Sequence, residues 1–284
     1  MSFPQQIRAR SATTTFALLL ALVAVPTAKA QDNVHPMMES KVWVNMGAFF
    51  ASRDLEISVE GSVNDADLIF DVESQLGIGD RPDLFMTELG WQFSERWGVA
   101  LQYFRSQRNG SKTLQDTIEW QDISYEAGIN VSAQTKFSIT RVFFSRRFLK
   151  KGPHDLRLGA GIHWLEAEAS ISGEATLDDQ SSEFRNSVAT ASLPIPNIGI
   201  WYGYSASDRW LFSTRLDWLS ADVGKYNGAI WNASTSIEYR ITDHFGMGLA
   251  YQLFGIDGGI KDSGWRGDIS TRFSGLNLHF SGYW

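Results

Sequence analysis

The chain of 284 residues contains no cysteine. No disulfide framework can staple the fold, and no thiolate is there to hold zinc or to act as a nucleophile. Long apolar runs are missing too. Beyond residue 30 no stretch approaches the roughly 18 consecutive apolar residues that a membrane helix needs. Base is scarce: 25 Lys and Arg stand against 32 Asp and Glu, a formal net charge of −7. Three of those bases, Arg8, Arg10 and Lys29, lie in the first thirty residues, so −7 less three positive charges leaves −10 for the remainder. Such a balance argues against nucleic acid as a partner. The five histidines are scattered, and neither an HExxH nor an EF-hand spacing occurs. The sequence therefore predicts no metal, no cofactor and no catalytic residue set.

What is present begins with an address. Arg8 and Arg10 precede "TTTFALLLALVAVPT", an apolar run too short to span a bilayer, and "AKA" at Ala28–Ala30 fits a small-x-small cleavage site. Residues 1–30 read as a secretory signal peptide, with 31–284 as one exported domain. That domain holds all eleven tryptophans of the chain. Indole in such quantity is common where rings sit at a membrane–water boundary.

The dominant signal is a period of two. In "LFMTELGWQF", Phe85, Thr87, Leu89, Trp91 and Phe93 share one face, and Met86, Glu88, Gly90 and Gln92 the other. "WGVALQYF" and "FGMGLAYQL" repeat the plan. One face is large and apolar; the other is glycine, alanine, amide or charge. A soluble barrel turns its large apolar groups inward, whereas a barrel in lipid turns them outward. Closure is required, because an open sheet edge in hydrocarbon leaves backbone groups unpaired at several kcal/mol each.

The turns repeat as well. "FSERWGVALQY", "YSASDRWLFSTRLDW" and "YRITDHFGMGLAY" each run aromatic, Ser or Thr, acid, Arg or His, aromatic, then a fresh strand. A fourth tight connection passes through Gly152-Pro153. Four short periplasmic turns, with both ends on that side, predict a transmembrane antiparallel up-and-down β-barrel of about ten strands. The expected strands are 41–53, 84–93, 97–106, 135–148, 155–167, 188–204, 209–221, 227–241, 244–256 and 268–284, with longer polar connections at the extracellular end. Eight or twelve strands are the alternatives, since parts of 110–133 can add strand above the membrane.

Strand parity puts a charged set inside: Glu88, Gln102, Arg141, Arg157, His163, Arg215, Asp217, Asn232, Glu238 and His279. Charges in a narrow interior are costly unless paired, so these are expected to cross-link the wall and fill the lumen. A polar path for small solutes is the second reading, and a narrow one, because a barrel of this size is close to what side chains alone can fill. The stretch 54–83 carries nine acids and one base, Arg81. It reads as a solvated face, or as a place where divalent cations are shared with lipopolysaccharide phosphates.

Three stretches resemble a group of proteobacterial outer-membrane β-barrel proteins of unassigned function: "FDVESQLGIGDRPDL", "LGAGIHWLEAEASISG" and "SLPIPNIGIWYGYS". The pattern falls on Asp71, Glu73, Leu76 and Gly77, and on Leu193, Pro194 and Pro196. The resemblance implies a barrel in the outer membrane and carries no catalytic residues. Omptin-type proteases also resemble ten-strand barrels, and their chemistry needs an Asp pair and an Asp–His pair near the outer rim. Asp65 and Asp67 can imitate the first, but no His here has an Asp two residues away. For a lipid-acting enzyme, His163 with Glu166, Glu168 and Ser170 is the one suggestive cluster. A non-enzymatic outer-membrane protein, structural or surface-interactive, is the leading expectation, with a barrel enzyme as the alternative.

The chain ends on "GLNLHFSGYW". Leu276, Leu278, Phe280 and Trp284 form an alternate apolar row expected to face lipid, and a terminal aromatic of this kind resembles the signal read by the outer-membrane assembly machinery. Outer-membrane lipid, lipopolysaccharide and that machinery are the expected partners.

Overall fold

The computed structural model of the protein describes residues 34–61, 68–70, 83–115, 117–120, 123–177, 181–223, 226–262 and 265–284. The leader and the motif at Asp71–Gly77 lie outside them, as do most of the acids of 54–83 or their side chains. The strands are β1 (Val42–Gly61), β2 (Leu68–Phe70), β3 (Asp83–Trp91), β4 (Trp97–Thr113), β5 (Ile118–Trp120), β6 (Ile123–Tyr125), β7 (Asn130–Lys151), β8 (His154–Leu177), β9 (Ser181–Ser205), β10 (Trp210–Val223), β11 (Tyr226–Arg240), β12 (Phe245–Asp262) and β13 (Trp265–Tyr283). Ten long strands pair antiparallel with their chain neighbours, and β1 pairs with β13 from Trp43↔Tyr283 to Gly61↔Trp265, so the sheet closes into an up-and-down barrel. At the seam Val42 and Trp284 exchange both backbone hydrogen bonds at 2.9 Å.

The repeated turn has a common physical basis. Ser94 Oγ accepts from the Trp97 amide at 3.0 Å, Ser207 Oγ from the Trp210 amide at 3.2 Å, and Thr242 Oγ1 from the Phe245 amide at 3.1 Å. In each case a hydroxyl satisfies the N–H of the aromatic three residues on, where the next strand starts. Gly152 makes the fourth turn at φ 53°, a left-handed value that favours glycine.

Outside, the wall carries a belt of exposed apolar side chains. Trp91, Phe93, Trp97, Trp210, Phe245 and Trp284 ring the turn end, and Phe50, Phe85, Trp164, Trp218 and Tyr251 lie nearer the loop end. Leu276, Leu278, Phe280 and Trp284 are all exposed, with Asn277 and Ser281 buried between them. This is the surface of a barrel that sits in lipid.

Two expectations need correction. The connections at the loop end are mostly strand: β8 and β9 continue to Leu177 and from Ser181, through much of 168–187, and β12 and β13 shorten 257–267 to two undescribed residues. The apolar pattern stops there, but backbone pairing continues through Ser, Thr, Gly and Asn, which need no lipid. The lumen, in turn, is not polar throughout. Phe49, Phe104, Phe137, Ile139, Leu165, Ile195, Ile230, Phe254, Ile256 and Phe273 form one buried apolar cluster across it. On β7 the reason is visible. Beyond Thr140, which still pairs with Trp164 of the belt, Phe137 and Ile139 point in while Ser138 points out, because once the wall leaves the lipid its apolar face turns to the dry side, the lumen.

Candidate functional site

The lumen is filled in layers. At the turn end a 3₁₀ turn, Pro36–Met38, folds under the barrel before β1. His35 and Met38 are fully buried there. The His35 amide donates to Ser205 Oγ at 2.8 Å, and Arg147 Nη2 donates to the Met38 carbonyl at 3.2 Å. The His35 ring meets Tyr283 edge-on at 5.5 Å. Burial pulls its pKa down to about 4, opposed by Glu238 and Asp208 and reinforced by Arg240.

Above this stopper lies a cavity of about 140 Å³, bounded by Met37, Trp43, Glu88, Trp201, Arg215 and Glu238 among others. Ion pairs stand in its walls and next to them. Arg215 Nη2 reaches Glu88 at 2.9 Å across the barrel from β10 to β3, and Trp43 Nε1 donates to the same carboxylate at 3.4 Å. Arg141 and Asp217, each with a side chain 1% exposed, pair at 2.9 Å between β7 and β10. Asn232 donates to Asp217 at 3.2 Å and accepts from Gln252 at 3.3 Å. His279 Nε2 lies 2.9 Å from Glu238 Oε2. Lower down, Arg157 and Arg147 share Asp155 at 2.7 and 3.0 Å, with the Arg157 guanidinium over Trp201 and Trp43. Glycines make room for these side chains: a methyl at Gly199 would collide with the Asp217 carboxylate, and one at Gly248 with both Glu238 and His279.

All ten residues of the expected charged set thus lie on the lumenal side, though not as one group. Gln102, opposite Glu88 and Arg141 in the ladders, donates to Met86 Sδ at 3.4 Å rather than to a charged group. His163 is buried next to Arg141 in the ladder, against Phe254 at 6.3 Å. Missing from that set are His35, Asp155, Arg147, Asn197 and Asn277. Arg147 lies five residues before Gly152 and Asp155 two after Pro153, and a register shift between Arg147 and Leu149 sets Arg147 opposite Arg157, so their meeting was not legible in the spacing; His35 precedes the first strand, where no period exists to read.

The arrangement is poor in chemistry. His163 points inward, whereas Glu166 and Glu168 point outward and bind Ser138 at 3.2 Å and Lys136 at 2.8 Å, so that candidate cluster is split between the two faces of the wall. His35, His154 and His244 are at the turn end and His163 and His279 are in the lumen, so none of the five histidines reaches the loop-end rim. Among the described residues no group of three or more His, Asp or Glu is placed to hold a metal ion.

No family model matches the chain, and no curated protein sequence matches it. Solved structures do. The outer-membrane protease OmpT from Escherichia coli superposes with a TM-score of 0.53 at 9% identity, over 86% of this chain and 96% of that one. The likeness is one of fold. The outer-membrane protein OprG from Pseudomonas aeruginosa (11% identity, 84% and 96% covered, TM-score 0.32) and the CymD monoaromatic hydrocarbon channel (8%, 86% and 89%, 0.37) are more distant.

Proposed function

We propose that the protein is a non-conducting, non-enzymatic barrel of the bacterial outer membrane, exported through the periplasm, whose role is structural and surface-interactive. The observation that carries this reading is the occluded lumen. A stopper at His35–Met38, a layer of paired charges and an apolar cluster of ten residues succeed one another along the axis. A hydrated ion crossing the apolar layer would lose its water with nothing to replace it. The lack of a histidine at the loop-end rim favours this reading over an omptin-like protease. The lipid-facing row ending at Trp284 supports recognition by the outer-membrane assembly machinery, and the apolar belt supports contact with outer-membrane lipid and lipopolysaccharide.

Single-channel recording on the purified barrel in planar bilayers tests the proposal. No unitary conductance is expected for the intact chain. Steady openings in the intact chain would overturn it in favour of solute passage.

A further inference from the structure

The motif "SLPIPNIGI" on β9 has a consequence for the wall. The Ser205 amide donates to Pro153 next to β8, and the Ala206 amide to Trp210 at the start of β10, at 2.8 and 2.9 Å. Odd-numbered residues of β9 therefore bond toward β8 and even-numbered ones toward β10. The ladder with β8 is unbroken from His154↔Tyr204 to Leu177↔Ser181. The ladder with β10 stops at Trp218↔Ile198. Continued, it would set Pro196 against Ser220 and Pro194 against Asp222. Both prolines fall on the parity that must donate to β10, and neither has an N–H to give. β10 continues to Val223, bonded there to β11.

The wall is thus unzipped above Ile198, and β9 runs on past the end of β10 from Ser192 to Ser181. Twelve residues span roughly 40 Å. Along them Ser182, Phe184, Asn186, Val188, Thr190 and Ser192 direct N–H and C=O to an edge on which no strand pairs among the described residues. Native sheets normally blunt such edges with charge or proline. Here proline stands only at the membrane-proximal end, and residues 181–192 carry one acid, Glu183, and one base, Arg185.

We infer that the β9 edge from Ser181 to Ser192 is a docking strand for an extended, weakly charged peptide segment of another protein, added antiparallel to the wall. This rests on the surface-interactive reading above and names the surface. A second copy in the same membrane does not fit. The two-fold axis relating two inserted barrels lies along the membrane normal, so both β9 strands keep the same sense and cross at twice their tilt, roughly 80°. The exposed neighbours at the edge are Val188, Thr190 and Ser192, beside which β-branched or hydroxyl side chains pair best.

The test uses the full barrel in lipid nanodiscs and a labelled synthetic peptide with the sequence of Glu166–Ala175, which already pairs antiparallel with Ser192–Glu183 from the β8 side, made weakly charged by Glu166→Gln, Glu168→Gln and Glu174→Gln. Saturable binding below about 1 mM is expected. The double variant Val188→Pro, Thr190→Pro removes two even-parity N–H groups, so binding should weaken about tenfold or more while melting is unchanged. Ala189→Pro, Ala191→Pro removes donors to β8 and should lower the melting temperature. No binding to the intact barrel, equal binding to the even-parity variant, or an even-parity variant that melts as early as the odd one would each overturn the inference. Conductance plays no part in this readout, so a barrel that conducts and a barrel that fails to dock are separate results.

Discussion

Arg141 is a large, fully buried charge in the lumen, and its removal gives a sharp measure of how the lumen is held. The guanidinium lies 2.9 Å from Asp217 with both side chains 1% exposed, and it also covers the Phe143 ring at 4.0 Å. At an effective dielectric near 20, opposite charges at that separation attract by roughly 6 kcal/mol. Desolvation of the two ions, several kcal/mol each, cancels most of this. The intact pair is therefore worth little net, but half of it is costly. Arg141→Met keeps the packing on Phe143 and leaves Asp217 with the Asn232 amide as its hydrogen-bond donor. The expected loss is about 3–5 kcal/mol. Adding Asp217→Asn removes the orphaned charge and should recover at least about 2 kcal/mol of it, so the two changes are strongly non-additive. Reversible urea unfolding of the barrel in lipid vesicles, followed by tryptophan fluorescence on all four proteins of the cycle, reads these values. A loss under about 1 kcal/mol for Arg141→Met, or simple additivity, would refute the view that the charges stand only as pairs.

Other outcomes follow from the same geometry. Replacing Pro194 and Pro196 together by Thr returns two donors to β9 and should extend its ladder to Ser220 and Asp222, stabilising the barrel by about 0.5–1.5 kcal/mol per bond in urea melts; no gain would mean that the prolines are not what opens the wall. The stopper should be acid-labile. His35 is neutral when docked, with its pKa lowered from 6.5 to about 4, so the docked state has its full stability above pH 6.5 and loses it as the pH falls toward 4, by about 3 kcal/mol at most. The labelling rate of a Met37→Cys variant, divided at each pH by that of the same variant unfolded in urea so that the loss of thiolate in acid cancels, should be higher at pH 4.5 than at pH 7.5, and His35→Phe should flatten the difference. Trp284→Ala should slow insertion by the assembly machinery more than it lowers the melting temperature, because the indole is exposed and its backbone alone closes the barrel on Val42; equal effects on both would make it merely structural.

Within the membrane the sequence was sufficient. There the outside is lipid, so large apolar side chains hold the outward positions and the charges are left to the inward ones, and parity assigns each: Phe280 out and His279 in, Trp218 out and Asp217 in. The repeated turns were legible for a similar reason, since a hydroxyl three residues before an aromatic is a local hydrogen bond that needs nothing from the rest of the chain. What parity could not show was partnership. Arg215 meets Glu88, 127 positions away in the chain, only because the barrel curves β10 round to face β3. Nor could it show the change of rule above the lipid, where Phe137 and Phe273 turn inward, or the fold of His35–Met38 under the mouth. The class of the protein is written in the alternation of its residues because the bilayer acts on each strand separately. The filled lumen and the unzipped edge of β9 were decided by closure, which sets side chains from distant strands against one another and leaves two prolines facing a neighbour to which they cannot bond.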